Sequence, residues 1–281
     1  MIPLKFRLDR RSLEIMYNSF VLPTMEYANV VWGGTYDSDI LKLERIHVDG
    51  MRLITGATAR SNIANLYDET SWRSISDRCD TAMLIMMFKV KNNLCPEYLS
   101  QLLPPENIEN RRYNLRNNED IRIPATNLES FKRSFIPHAI SLWNNLPLAQ
   151  RQIPTLEDFK LSLKENFKEC NILYYYGKRW PSIHHSRIRI GCSKLKNDLF
   201  SNLRVIDEPY CICGSIEDAN HFFFGCPNYI DLRLNLFSIV AIYSQINLEI
   251  LLHGNAELSE DINVIIFDAV HDYIEKSNRF V

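Results

Sequence analysis

The sequence predicts a mainly α protein, and three observations carry that expectation. Apolar residues recur mostly three and four positions apart, the period of a helix face. Only nine glycines are present in 281 residues. A content of 46% hydrophobic and 23% charged residues is enough to bury a full core. The length favours about two domains, and neither an internal repeat nor a low-complexity tract interrupts the chain.

The first helix is expected from about Ser12 to Val21, with Leu13, Met16, Tyr17 and Phe20 on one face and Pro23 as its stop. A second follows Asp39, where Ile40, Leu43, Ile46, His47 and Met51 form a stripe and Gly56 supplies the C-terminal glycine. The third and most apolar opens on a capping arrangement, Ser74 to Asp77, runs through Met83, Met86 and Met87, and stops before Pro96. Its methionines are assigned to core packing. Between Pro104 and Pro124 the pattern lapses into a polar, asparagine-rich linker. Helical spacing returns with Phe131, Phe135, Ala139, Ile140 and Trp143, the tryptophan expected in the core. It returns again after the Thr155-to-Asp158 capping box through Phe159, Leu163 and Phe167.

Composition changes beyond Cys170, and the expected domains are 1–172 and 173–281. From Lys178 to Arg204 the net charge is +6, and from Val205 to the end it is −9. The whole-chain value of −2 hides both. The basic stretch follows Tyr174, Tyr175 and Tyr176 and contains Trp180. Cations neutralise phosphates and aromatic faces stack on unpaired bases, so Lys178, Arg179, Trp180, Arg187, Arg189, Lys194 and Lys196 are candidate nucleic-acid contacts. The competing expectation is a solvated helix face paired with the acidic tail, with the tyrosines in the core. The adjacent His184 and His185 lack further ligands nearby and are expected on a solvated turn.

Cysteine usage points to metal. Of seven cysteines, Cys79, Cys95, Cys170 and Cys192 are scattered singly, an arrangement that suits buried small hydrophobes and not a disulfide framework. The other three fall with His221 in "CICGSIEDANHFFFGC", residues 211–226. Cys211, Cys213, His221 and Cys226 could reach one tetrahedral Zn²⁺, with Gly214 allowing the tight turn between the thiolates and the rest. Four protein donors fill the coordination shell, so the ion expected is structural. Against this, "HFFFGC" could be a buried apolar strand.

These residues also resemble a known segment. "YCICGSIEDANHFFFGCPNYIDLR" is similar to the Cys-Cys-His-Cys zinc knuckle near the C-terminus of reverse transcriptases from non-long-terminal-repeat (LINE/jockey-like) retrotransposons. "SIHHSRIRIGCSKLKNDLF" resembles the basic segment before that knuckle, and "FIPHAISLWNNLP" resembles a post-polymerase helix. "YNSFVLPTMEYANVVW" and "LERIHVDGMRLITGA" resemble the helical region after the palm. The resemblance covers nearly the whole chain. It implies a helical thumb- or linker-like region over 1–172. Over 173–281 it implies the basic segment, the zinc knuckle and an acidic helical tail.

The same resemblance implies that the paired palm carboxylates of an RNA-directed DNA polymerase would precede residue 1. Tyr36 to Asp39, "YDSD", is the nearest string, and there Asp39 is read as a helix N-cap. No catalytic residue is assigned, and the chain by itself is expected to be no enzyme. Expected partners are RNA or DNA, single-stranded or structured, and a palm region in trans. An alternative is a host-retained zinc-containing module that binds a protein and has no nucleic-acid role. "MIPLKFRLDRR" carries charge where a signal peptide has its apolar core, and the longest apolar run, Ala82 to Phe88, is too short for a membrane span. The chain is therefore expected inside the cell, in nucleus or cytoplasm, away from membranes.

Overall fold

A computed structural model describes residues 5–104, 119–125, 127–164 and 169–281. The chain is mainly helical, and no strand is found among the described residues, only isolated bridge residues that include the antiparallel pair Tyr210 and Ile216. No helix among them is long and apolar enough to cross a membrane. Most of the asparagine-rich linker lies outside the described residues. Its far end does not: Ile121 is buried, its backbone N–H donating to Asn144 Oδ1 at 3.0 Å and its carbonyl accepting from Asn144 Nδ2 at 2.9 Å.

Contacts divide the chain into two units that a single cut does not produce. One gathers residues 1–20, 48–72 and 169–281, and the other 21–47 and 73–168. The last passage between them falls close to the compositional change near Cys170. Two earlier segments nevertheless join the C-terminal unit, in place of an uninterrupted 1–172 domain. Buried polar bonds explain part of this, since Arg10 and Glu69 from those segments meet Arg189 from the C-terminal part.

In the second unit the helix Ile75–Lys91 packs against Phe135–Asn145 and Leu156–Ser162. Met83, Met87, Phe88, Trp143 and Phe159 form its core, with Phe88 and Phe159 stacked at 4.7 Å. Met83, Met87 and Trp143 thus pack as expected, while Met86 is half-buried and lies outside this core. Both expected caps form: Ser74 Oγ accepts from the Asp77 N–H at 3.0 Å, and Thr155 Oγ1 accepts from the Asp158 N–H at 3.1 Å. The last of these helices ends at Ser162, and Phe167 lies outside the described residues.

Three boundaries differ from expectation. The N-terminal helix starts at Arg10 with Asp9 as its cap, and Pro23 opens the next helix, Leu22–Glu26, instead of stopping a single one. A proline needs no backbone N–H partner in a first turn. Leu13 and Tyr17 are buried, but Phe20 is 73% exposed, because a π-helical turn at Tyr17–Val21 shifts the face after Tyr17. After a short helix at Asn29–Trp32, the helix expected beyond Asp39 spans Asp37–Thr55, so Asp39 lies inside its first turn, where it pairs with Lys42, and is not the cap. Its stripe keeps His47 and Met51 buried and leaves Ile46 exposed.

In the first unit the helix Glu260–Lys276 packs against Ile230–Val240, Leu248–His253 and Arg179–Ile190, and the last of these also packs on Ile63–Thr70. Phe222, Phe223, Leu236, Leu251, Val270 and Tyr273 are among its core residues.

Candidate metal centre and the basic segment

The candidate metal-ligating stretch is built from a hairpin and a helical turn. The Cys211 N–H donates to the Ser215 carbonyl at 2.7 Å, the Gly214 N–H to the Cys211 carbonyl at 2.9 Å, and the Glu217 N–H to the Pro209 carbonyl at 2.9 Å. Gly214 sits at φ +90° with open space where a Cβ would stand, so conformation and not crowding requires glycine there. His221–Gly225 then forms a π-helical turn, begun by the His221 N–H donating to Asp218 Oδ1 at 2.7 Å. Phe222 and Phe223 anchor this turn in the core, which settles "HFFFGC" as a helical turn and not a strand.

This arrangement brings Cys211, Cys213, His221 and Cys226 together with all four ligand atoms within 4.8 Å of one another. The sulfurs of Cys211 and Cys226 stand 3.8 Å apart, and Cys213 Sγ is 3.2 Å from His221 Nε2. Two thiolates bound tetrahedrally at ~2.3 Å lie ~3.8 Å apart, the spacing of the Cys211 and Cys226 sulfurs. Three sulfurs and one imidazole are donors that a borderline-soft divalent ion takes. Burial and the neighbouring sulfurs push the Cys226 thiol up to about 11. The Ser215 backbone N–H pulls the Cys213 thiol down. A bound cation would favour the thiolate form of all three.

The cluster is tied to the rest of its unit. Buried Glu217, at the base of the hairpin, accepts from Arg279 Nε at 2.7 Å and from the Lys196 backbone N–H at 2.9 Å. Arg279 holds this carboxyl below its ordinary range, although burial alone would raise it. Arg233 donates to the carbonyls of Phe223 and Cys226, and the Tyr273 hydroxyl donates to that of Phe222 at 2.5 Å.

The basic segment differs from its expected role. Three of its seven cations, Arg179, Arg187 and Arg189, lie on the helix Arg179–Ile190, whose residues from Pro181 to Ser186 are all buried. His184 and His185 are therefore core residues and not a solvated turn. His185 lies between the Leu251 carbonyl at 3.0 Å and His271 Nε2 at 3.2 Å. Burial, helped by nearby cations, lowers His184 and His271 to about 4 and holds His185 well below the ordinary imidazole value.

The arginines are spent internally. Arg179 donates to the carbonyls of Ile54 at 2.7 Å, Leu53 at 3.0 Å and Lys5 at 3.0 Å, closing the end of the helix Asp37–Thr55. Burial lowers it to about 10. Arg187 Nε donates to the Gly56 carbonyl at 2.8 Å. Gly56, at φ +78°, is the expected terminal glycine, and Ile183 packs where its Cβ would be.

Arg189 Nη2 and Arg10 Nη1 clasp Glu69 Oε1 at 2.7 and 2.6 Å, and the Ser186 hydroxyl adds a bond of 2.8 Å. Burial would raise Glu69, but Arg189 and Arg10 outweigh it and hold the carboxyl at about 2. Tyr174 and Tyr175 lay their rings on these guanidiniums, Arg189 standing 3.9 Å from the Tyr174 centroid.

Arg189 therefore leaves the set of phosphate contacts, since freeing it would strand Glu69. Arg179 and Arg187 are committed to carbonyls. Lys194 Nζ reaches the carbonyls of Phe280 at 2.9 Å and Val281 at 3.2 Å from an exposed position. Lys178 is exposed, Lys196 is half-buried, and Trp180 is 38% exposed with its ring against His184. Arg10, Glu69, Glu217 and Arg279 were not singled out by sequence.

No family model matches the chain, and neither a curated protein nor a solved structure matches it.

Proposed function

We propose that the chain is the post-palm, C-terminal region of a non-long-terminal-repeat retrotransposon reverse transcriptase, and that it holds nucleic acid without catalysing polymerisation. The observation that carries this is the convergence of Cys211, Cys213, His221 and Cys226, at the spacing on which the resemblance chiefly rests. In this proposal the ion is Zn²⁺. It has no open coordination position, and it fixes the hairpin against the helical turn of His221–Gly225. The four side chains supply its whole shell, and Glu217, Arg233 and Tyr273 hold the backbone around them.

Nucleic acid would then meet the solvent-facing remainder of the basic segment, namely Lys178, Trp180, Lys194 and Lys196. With about three phosphates neutralised on a single strand, the log-log salt slope of binding is near −2, at roughly −0.7 each. Anisotropy titrations of a labelled single-stranded RNA over a range of salt test this. Wild type shows that slope, and Lys178→Ala, Lys194→Ala and Lys196→Ala together flatten it. Absence of binding at low salt sinks the proposal. Primer extension with Mg²⁺ or Mn²⁺ yields no product, and templated synthesis by the chain itself is the contrary result.

The internal use of Arg179, Arg187 and Arg189 favours one rival, a zinc-stabilised module that binds a protein and not a nucleic acid. Salt-independent or absent RNA binding by a chain that retains its zinc is the outcome that selects it.

A further inference from the structure

The first unit carries a cleft of about 360 Å³ that the basic segment does not explain. The N-terminal helix and the turn at Ile172–Tyr175, with Tyr176 after it, form its walls. Ile15, Ile172 and Tyr176 border it, 56%, 52% and 36% exposed, so one depression gathers three large apolar groups that water reaches. The Tyr176 hydroxyl donates to Glu260 Oε1 at 2.5 Å, which fixes the direction of its ring. A volume of this size suits a small planar group and not a helix.

The polar lining consists of Arg11, Glu14, Asn18 and the Tyr175 hydroxyl. Arg11 is exposed at the rim. Glu14 lies in the wall, held by the Trp72 indole N–H on Oε1 at 2.8 Å and by the Tyr175 hydroxyl on Oε2 at 2.6 Å. Both donors are neutral, and they fix the carboxylate in place without an ion pair between them. An ionised carboxylate has about four lone-pair positions, so capacity for two donors remains. A ligand that fits presents a flat face to Tyr176 and Ile15, two adjacent N–H donors to Glu14, and an anion to Arg11. Guanine is the nucleobase whose pairing edge offers two neighbouring donors. Unpaired bases are read by stacking together with such edge bonds.

We infer that this cleft is the binding site for one unpaired guanine nucleotide of a nucleic-acid strand, with Tyr176 as the stacking face, Glu14 as the reader of the base edge and Arg11 as the phosphate contact. The inference rests on the nucleic-acid reading above and moves the aromatic contact from Trp180 to Tyr176. Lys178, two residues beyond Tyr176, continues the strand's path.

The test is a titration of the full chain with three labelled hexamers: uridine throughout, uridine with one central guanosine, and uridine with one central adenosine. The guanosine hexamer binds about tenfold more tightly than the other two. Tyr176→Ala weakens it about 5- to 150-fold, the loss of one base stack. Arg11→Ala reduces the salt slope by about 0.7. Glu14→Gln makes the guanosine and adenosine hexamers equal. Because that variant also touches Trp72 and Tyr175, Arg11→Ala and Ile15→Ala, both at exposed positions, carry the test if it fails to fold.

Binding that all of these variants leave unchanged overturns the cleft and leaves the nucleic-acid reading standing. Failure of wild type to bind any hexamer overturns both. Equal wild-type affinity for guanosine and adenosine removes the base reading. Guanosine monophosphate binding as tightly as the hexamer reassigns the cleft to a free nucleotide.

Discussion

The helix Arg179–Ile190 and the stretch 211–226 are neighbours in sequence and teach opposite lessons about reading chemistry from residue types. In the second, donor spacing is a geometric constraint, and the fold brings the donor atoms of Cys211, Cys213, His221 and Cys226 within 4.8 Å of one another. In the first, charge is only a count. A run of net charge +6 hides three arginines that point inward, to Glu69 and to carbonyls at the end of another helix. Metal ligands must converge to act, whereas a cation acts equally well on water, a phosphate or a buried carboxylate.

The sharpest way to break this comparison is to remove Glu69. Glu69→Gln leaves Arg10 and Arg189 buried with an uncompensated charge, and the expected cost is about 3–5 kcal/mol of unfolding free energy. Urea denaturation measures it. A cost under about 1 kcal/mol would show that the arginines are solvated and open to a ligand.

Acid comes next. His184 and His271 stay neutral in the folded chain until about pH 4, held down by burial and by the nearby Arg187, Lys194 and Arg189. Unfolded, they take up protons near 6.5. The stability this supplies is complete above pH 6.5 and is lost as pH falls toward 4, on the order of 3 kcal/mol per histidine. Denaturation midpoints at pH 7.0 and 4.5 reveal the loss. His271→Gln reduces it while leaving metal content alone, and a flat profile in wild type would place these rings in water.

A smaller effect is expected where the metal stretch meets the C-terminal residues. Arg279→Ala strips buried Glu217 of its charged partner, at about 2 kcal/mol, and loosens the base of the hairpin. Regional protease sensitivity around 209–226 follows it. The smallest belongs to the exposed remainder of the basic segment: Lys178→Ala changes stability by under ~0.5 kcal/mol, and a larger loss would place Lys178 among the internally committed cations.

Helix identity was legible wherever a cap agreed with an apolar stripe, as at Ser74–Asp77 and Thr155–Asp158. It misled where a local rule was read one way only. Pro23 can start a helix as well as stop one, and Phe20 is turned outward by a π-helical turn that periodicity does not reveal. The candidate metal ligands were legible because all four lie within 16 residues. The Arg10–Glu69–Arg189 cluster was not, since its members stand 59 and 120 positions apart and only tertiary packing pairs them. His184 and His185 were misplaced for a related reason. Two adjacent imidazoles look solvated until helices from elsewhere in the chain cover them.

The metal content of the purified chain tests the central claim most directly. One tightly held zinc per chain is expected, lost in Cys211→Ser and Cys226→Ser. Chelation should expose 209–226 to protease while the helices at Ile75–Lys91 and Phe135–Asn145 stay protected. A wild-type chain that takes up no zinc on reconstitution, and whose protease pattern is the same with and without chelator, would contradict it.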